Sequence, residues 1–430
     1  MDANGYPSVP LGELVDPARG ITYGIVQPGQ HDEAGVPIVR VTDVRDGRIH
    51  GATPLRVAPE IEKKHSRTRL RGGELLLTLV GTVGETAVVP NGFAGWNTAR
   101  AVGVVPVREE FGARWVAWAL QTASARKLIK DRLNTTVQAT LNLRDVAELP
   151  ISLPDRSTRN AISAILGALD DKIDLNRRMN ATLEELARTL FRSWFVDFDP
   201  VKAKAEGRQP EGMDAATAAL FPSRFVDSEL GRIPEGWGVS DVYAIAAVDY
   251  GAPYASSRFS ATPNGFPLIR IRDLKSQSAD VWTDETHPRE VRVTPGDCIV
   301  GMDGEFRATL WVGQESVLNQ RLCRFRPLRP SDATFVRLAI EPALAYVERT
   351  EVATTVIHLG KSDIDEFRLV VPDATVRDRF GALAAHWTER ELVCAAESRT
   401  LAALRDLLLP KLISGELRVP DAEKLVEAAL

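Results

Sequence analysis

Three cysteines in 430 residues, Cys298, Cys323 and Cys394, are too few and too scattered for a disulfide framework or a thiolate metal site, and none forms a Cys-x-x-Cys pair. Their expected place is among small buried apolar side chains. The six histidines show no metal-ligand spacing. No stretch of about 18 apolar residues occurs, which argues against a membrane-spanning helix. The start, Met1 to Leu14, has no basic segment followed by an apolar run, so the expected location is the cytoplasm. An excess of positive charge is missing too. The formal net charge is −5; residues 1 to 155 carry 18 basic against 17 acidic side chains, and residues 224 to 372 carry 17 against 21. This counts against a protein that holds nucleic acid by its overall charge. Contact with DNA would need a one-sided patch, for which Lys63, Lys64, His65, Arg67, Arg69 and Arg71 are the best candidate and a solvated loop the alternative.

Catalytic signatures are also lacking. A methyltransferase of DNA adenine needs an Asn/Asp-Pro-Pro-Tyr/Phe loop for the flipped base and a glycine-rich cofactor loop; here Asp199-Pro200 is followed by Val201. Gly360-Lys361-Ser362 lacks the glycine of a phosphate loop five residues earlier, where Thr355 stands. Asp43, Glu62 and Lys64 loosely imitate a nuclease metal site, a pattern that charged loops often produce and that the second half does not repeat.

The balance of 44% hydrophobic and 26% charged residues is that of a soluble globular protein, long enough for two or three domains. The strongest signal is an internal repeat. GVPIVRVTDV at 35–44 matches GFPLIRIRDL at 265–274, pairing Gly35 with Gly265, Pro37 with Pro267, Arg40 with Arg270 and Asp43 with Asp273 at an offset of 230. RGGELLLTLVG at 71–81 matches TPGDCIVGMDG at 294–304 through Gly73 and Gly296 and the acidic residue after each, at an offset of 223. Asn97 and Arg100 then fall near Asn319 and Arg321. TLNLRDVAELPISLPD at 140–155 matches HLGKSDIDEFRLVVPD at 358–373 at an offset of 218, with Leu141/Leu359, Asp145/Asp363, Pro154/Pro372 and Asp155/Asp373. An offset that shrinks in steps is what loop insertions produce. Between these anchors the copies share little, as in two readers of different targets or in one duplicated domain whose loops have drifted.

PIVRV, PLIRI, ELLLTLV, DCIVG, AVGVVPV and LCRFRPL read as strands, while Gly112 to Arg132 and Phe335 to Arg349 have helical spacing, so each head is expected to be α+β. After each head the period becomes seven. Ile162, Leu169, Asn176, Leu183 and Leu190 lie at seven-residue steps with Ile165, Met179 and Leu186 between them; Phe380, Trp387, Cys394, Leu401 and Leu408 repeat the steps 218 residues later, joined by Leu383 and Leu404. Forty residues of helix extend roughly 60 Å, longer than one head needs. The economical cover for each seam is the other helix, packed antiparallel, giving a pseudo-two-fold object with Asn176 fixing the register. The alternative is that each helix packs on its own head.

The expected domains are a first head at 1–155, a spacer helix at 156–199, a linker at 200–230, a second head at 231–373, and a second spacer helix with a C-terminal segment at 374–430. Pro200 is expected to stop the first helix, and Pro410 and Gly415 the second. Trp194, Phe195 and Phe198 cluster at the first helix end, where aromatic residues are usually core.

FRSWFVDFDPV after the first helix, LGRIPEGW before the second head, PKLISGEL at 410–417 and the head-helix-head-helix order resemble the specificity subunits of type I restriction-modification systems, over about residues 9 to 419. The resemblance implies a non-catalytic chain with two tandem target-recognition domains joined by two long antiparallel coiled-coil helices, each head reading one half of a bipartite double-stranded DNA target. It also implies docking of two methyltransferase subunits and of restriction subunits, with Trp194, Phe195 and Phe198 as candidate docking residues. No cofactor is expected in this chain; S-adenosylmethionine, ATP and Mg would sit on the partners. A two-headed scaffold for proteins or glycans is the alternative from another class.

Reading base edges needs paired hydrogen bonds, from Arg to guanine or from Asn and Gln to adenine, worth about 1 to 3 kcal/mol per pair. Loops beside the matched strands are the expected place. In the first head the candidates are Arg40, Thr42, Thr82, Glu85, Arg100 and Gln138, with Lys63, Lys64 and Arg67 for phosphates. In the second they are Arg270, Arg272, Asp303, Arg307, Gln320, Arg321, His358 and Lys361. For Arg40 and Arg270, which are matched, the alternative is a structural pair with Asp43 and Asp273.

Overall fold

A computed structural model describes residues 5–133, 139–350 and 357–429. The chain divides into two compact units, 1–171 with 401–430, and 172–400.

In the first unit the strands are β1 (Ser8–Pro10), β2 (Thr22–Tyr23), β3 (Val36–Val39), β4 (Leu55–Val57), β5 (Leu75–Thr78), β6 (Thr86–Val88), β7 (Asn97–Thr98), β8 (Val102–Val105) and β9 (Pro150–Ser152). Leu75 to Thr78 and Val102 to Val105 are buried at every position, so these strands are covered on both faces, and the continuous apolar runs follow from that. They pair antiparallel with Val102 opposite Thr78, inside a four-stranded sheet of order β2-β8-β5-β6. β3 lies between β4, antiparallel, and β7, parallel, and β1 closes on β9 with Val9 opposite Ile151. The helical stretch after β8 breaks into α1 (Ala113–Gln121) and α2 (Ala123–Asp131), because Thr122 leaves the helical conformation and its hydroxyl caps α2 by accepting from the Ala125 N–H.

The second unit repeats this order. β10 (Gly238–Asp241), β11 (Ala246–Tyr250), β12 (Phe266–Ile269), β13 (Trp282–Thr283), β14 (Cys298–Gly301), β15 (Ala308–Leu310), β16 (Ser316–Leu318), β17 (Leu322–Pro327) and β18 (Arg368–Val371) stand where β1 to β9 stand in the first. The four-stranded sheet has order β11-β17-β14-β15, β12 pairs antiparallel with β13 and parallel with β16, and β10 closes on β18. The helix after β17 is again broken, here into α4 (Ala333–Ala339) and α5 (Glu341–Thr350). Gly35 and Gly265 are matched for a steric reason: a β-carbon there would lie 2.3 Å from the Val57 carbonyl oxygen and 2.2 Å from that of Thr283, in the neighbouring strand of each copy. All three cysteines are buried, as expected.

The two long helices are α3 (Arg156–Phe191) and α6 (Ala374–Ser414), each contributing a stretch to both units. Within the second unit they run antiparallel: the Lys172 ammonium meets Glu397, the Asn176 amide donates to Glu397 at 2.8 Å and to the Cys394 carbonyl, and the Asn180 amide donates to the Glu391 carbonyl. Within the first unit Arg405 donates to Asp170 at 2.9 Å, which also accepts from the Trp118 indole. The seven-residue positions face inward, with Ile162, Leu169, Asn176, Phe380, Cys394, Leu401 and Leu408 buried and Leu183, Leu190 and Trp387 half-buried. The positions between them are four residues on, not three. Leu166, Ile173 and Ala187 in α3, and Ala384, Glu391 and Leu412 in α6, are buried, whereas Leu186 is 46% exposed and Ile165, Met179, Leu383 and Leu404 are half-buried. Polar Asn180, Glu391 and Arg405 at these places hid the true phase of the seam.

Three other expectations need correction. Pro410 does not end α6; the helix runs through it, although proline offers no N–H to the Asp406 carbonyl, and stops at Ser414 before Gly415 at φ +81°. Pro200 opens a further helix, Asp199–Ala205, after Phe198 has turned the chain at φ +54°. The stretch 200–230, expected as a linker, is packed, since it holds a second short helix at Ala215–Ala219 and sends Val201 and Phe221 into the core of the second unit. Trp194 and Phe195 belong to the same core, 4% and 6% exposed, beside Phe221, Phe335 and Phe380 at ring distances of 5.0 to 5.1 Å. They are not surface docking residues, because large aromatic side chains at a helix end find more apolar area inside the unit than outside it. Phe198 is half-buried against Phe225 and Trp237.

Candidate nucleic-acid interface

The residues matched between the copies are turn-holding residues. Asp43 accepts from the backbone N–H of Arg40 at 2.8 Å and takes its guanidinium in two bonds of 3.1 Å. Asp273 does the same for Arg270 at 2.9, 2.9 and 3.0 Å. In both copies the carboxylate raises the arginine pKa, chiefly through its hydrogen bond. Glu74 accepts from the Arg71 N–H and Asp297 from the Thr294 N–H, in each case three residues back. Asp155 and Asp373 cap the helices that follow them through Thr158 and Thr375. Such bonds fix the backbone whatever the loops do.

In each head the ends of four segments converge, and the backbone ties are the same. In the first, Ala99 N–H donates to Val39, Leu79 to Ala101, Leu141 to Leu79 and Gly81 to Ala139. In the second, Asn319 donates to Ile269, Met302 to Arg321, Leu359 to Met302 and Gly304 to Ile357. These ties equate Val80 with Asp303, Arg100 with Gln320, Ala101 with Arg321 and Thr140 with His358, the first and last through isolated bridges Val80–Thr140 and Asp303–His358. Arg100 therefore corresponds to Gln320, one residue from the pairing read in the sequence, and Asn97 corresponds to Val317.

Three candidates of the second head come together here. The Asp303 carboxylate oxygen Oδ1 contacts His358 Nδ1 at 2.7 Å and accepts from Arg321 at 3.4 Å. A carboxylate can only accept, so Nδ1 carries the proton and Nε2 is left to accept from a ligand, or to donate once the ring is charged. Both His358 and Arg321 are exposed. The first head offers Val80, Ala101 and Thr140 at the same three places, so the two heads present different chemistry on one frame.

The other candidates lie around these convergence points or apart from them. Thr42 is exposed beside Asp43; Thr82 and Glu85 are on the β5–β6 loop; Arg100 and Gln320 are exposed in equivalent turns. Arg272 and Arg307 are exposed, the latter 3.8 Å from Glu305. Lys361 is held by Asp365 at 2.7 and 2.9 Å. Gln138 lies outside the described residues. Lys63, Lys64 and Arg67 are exposed, but Arg69 of the same run is bound to Glu62. Glu62 is buried, accepts also from Asn97 at 3.1 Å, and has its pKa lowered, first by the Arg69 hydrogen bond. The carboxylate that suggested a nuclease site is thus committed to holding the 62–69 segment. Among the described residues no group of three or more His, Cys, Asp and Glu could hold a metal ion, and no helix is long and apolar enough to cross a membrane.

Sequence reasoning missed Arg126 and Lys130, which face the β5–β6 loop from α2 and line a cleft of about 370 Å³ with Thr82 and Glu85. The run ARKLIKDR at 125–132 carried the signal, but only the fold sets it beside the loop.

The arrangement is that of a duplicated α+β unit with a constant frame and variable loop ends. Residues 12–185 match the family described as type I restriction modification DNA specificity domain. The chain is 25% identical over 340 residues to the type I restriction enzyme HindI specificity subunit of Haemophilus influenzae, covering 68% of this chain and 74% of that protein. It is 22% identical over 363 residues to the MjaIX specificity subunit of Methanocaldococcus jannaschii, covering 81% and 78%. Its fold is that of the S subunit of a type I restriction-modification system from M. genitalium, with a TM-score of 0.53 at 12% identity, over 96% of this chain and 97% of that one. The chain is similar to the specificity subunits of type I restriction-modification systems.

Proposed function

We propose that this chain gives a type I restriction-modification complex its DNA sequence specificity, each head reading one half of a bipartite target, and that it performs no chemistry itself. The observation that carries this is the replacement of Val80, Ala101 and Thr140 by Asp303, Arg321 and His358 on matching backbone ties. A frame kept constant under exchanged donors and acceptors suits two readers of two sequences. In this reading two methyltransferase subunits and restriction subunits dock on the chain in the cytoplasm, bringing S-adenosylmethionine, ATP and Mg. Arg100, Thr82 and Glu85 of the first head, and Arg272, Arg307, Gln320, Arg321 and His358 of the second, face base edges. Lys63, Lys64 and Arg67 contact phosphates, while Arg40 and Arg270 act through the turns they hold.

The test is modified-base sequencing of plasmid DNA from cells expressing this chain with its methyltransferase partner, against cells expressing either alone. A split methylated motif only when both are present is the expected result. A stable complex that adds no motif overturns the reading in favour of a two-headed scaffold.

A further inference from the structure

The cleft of about 370 Å³ in the first head has two unlike walls. Arg126 and Lys130 lie one helical turn apart on α2 and form one; Thr82 and Glu85 on the β5–β6 loop form the other; Val83, Ile129 and Leu133 line it between them. Both cations are exposed, and neither has a carboxylate partner among the described residues, in a chain where most arginines of the second head are paired. Lys127 adds a third charge on the same helix.

In the second head a buried aromatic side chain stands at the equivalent place. Gly304 takes the place of Gly81, with the same backbone tie and the same positive φ, so Phe306 takes the place of Val83. Phe306 is 2% exposed and belongs to the same core as Leu344 of α5 (Glu341–Thr350). The charged side chains of α5 are Glu341, Glu348 and Arg349, whereas α2 carries Arg126, Lys127 and Lys130 beside Asp131.

We infer that Arg126 and Lys130 clamp the DNA phosphate backbone next to the first head's half-site, making this head the electrostatic anchor of a chain with net charge −5. The inference rests on the DNA-reading function proposed above. Glu85 on the facing wall repels phosphate but accepts from a cytosine amino group, so backbone and base edge are divided between the two walls. The contacts carry no sequence information; they add affinity to both half-sites because the heads are joined in one chain.

The experiment uses the complex of the full chain with its methyltransferase partner. Binding to a duplex carrying the methylated motif, and to an unrelated duplex, is measured from 50 to 200 mM salt for wild type, Arg126→Ala/Lys130→Ala and the charge-keeping Arg126→Lys/Lys130→Arg. Losing two phosphate contacts makes the slope of log K against log salt shallower by about 1.8, so the deficit of the alanine variant shrinks about 12-fold over this range. The expected result is that deficit on both duplexes, an unchanged methylated motif, and a wild-type slope for the charge-keeping variant. An unchanged slope, a changed motif, or weakened assembly of the complex without any change in slope overturns the inference. Failure of the wild-type complex to prefer the motif duplex overturns the function proposed above instead.

Discussion

Glu391 should make the second unit less stable as pH rises through neutrality. It occupies an inward position of α6 between Trp387 and Cys394, is 5% exposed, and lends only its backbone carbonyl to Asn180. Its carboxyl group makes no hydrogen bond among the described residues. Burial, and then the nearby Glu184 charge, push its pKa from 4.5 up to about 7; Arg337 and Arg188 oppose this but are held by Glu184 and Glu341. A carboxyl group that binds its proton more tightly in the folded state contributes stability that is complete below about pH 4.5 and lost as pH rises through about 7. At about 1.4 kcal/mol per pKa unit the full shift amounts to about 3 kcal/mol, and water reaching the seam reduces this to about 1 to 3 kcal/mol. Glu391→Gln keeps the size and removes the titration. Urea unfolding of both proteins at pH 5, 6, 7 and 8 gives a stability difference in which all other titrating groups cancel. The variant should gain about 1 to 3 kcal/mol on wild type between pH 5 and 8. Parallel curves would refute a desolvated carboxyl in the seam.

Asp273→Ala leaves Arg270 without its partner and should cost about 3 to 5 kcal/mol, with Asp43→Ala costing less because Arg40 is the more exposed of the two, 43% against 20%; thermal unfolding measures both. Trp194→Ala should destabilise the second unit by about 3 to 5 kcal/mol, and a variant that unfolds like wild type but loses its partner would restore the docking role. Arg307→Ala and Arg321→Ala should each relax only one half of the methylated motif in modified-base sequencing, whereas equal weakening on every sequence would make them phosphate contacts.

The repeat, the order of its strands and the two long helices were legible in the sequence, because apolar runs and heptads report burial directly. Three features were not. The seam phase was misread because polar Asn180, Glu391 and Arg405 occupy inward places whose partners lie some 200 residues away in the chain. The 200–230 stretch looked like a linker because it is rich in alanine, glycine and proline, yet Val201 and Phe221, with Met213 and Phe225 packed on the same cluster, anchor it in a core. Pro410 looked like a stop because its lost hydrogen bond counts heavily in an isolated helix, while the buried Leu408, Leu409, Leu412 and Ile413 on either side hold this one together.

The candidate surface divides along the same line. Residues that match between the copies do so because turns need them: Asp43 and Asp273 each close a three-residue turn, and Glu74 and Asp297 each close another. Matching therefore points away from the positions that differ in target, and Arg40 and Arg270 were drawn into the candidate set by the same repeat that explains them structurally. The informative positions are those with identical backbone ties and unlike side chains, Val80 against Asp303, Ala101 against Arg321 and Thr140 against His358. Because main-chain hydrogen bonds carry the frame there, side chains can change without loss of the fold, and the frame can hold a charged cluster in one head and an open cleft in the other.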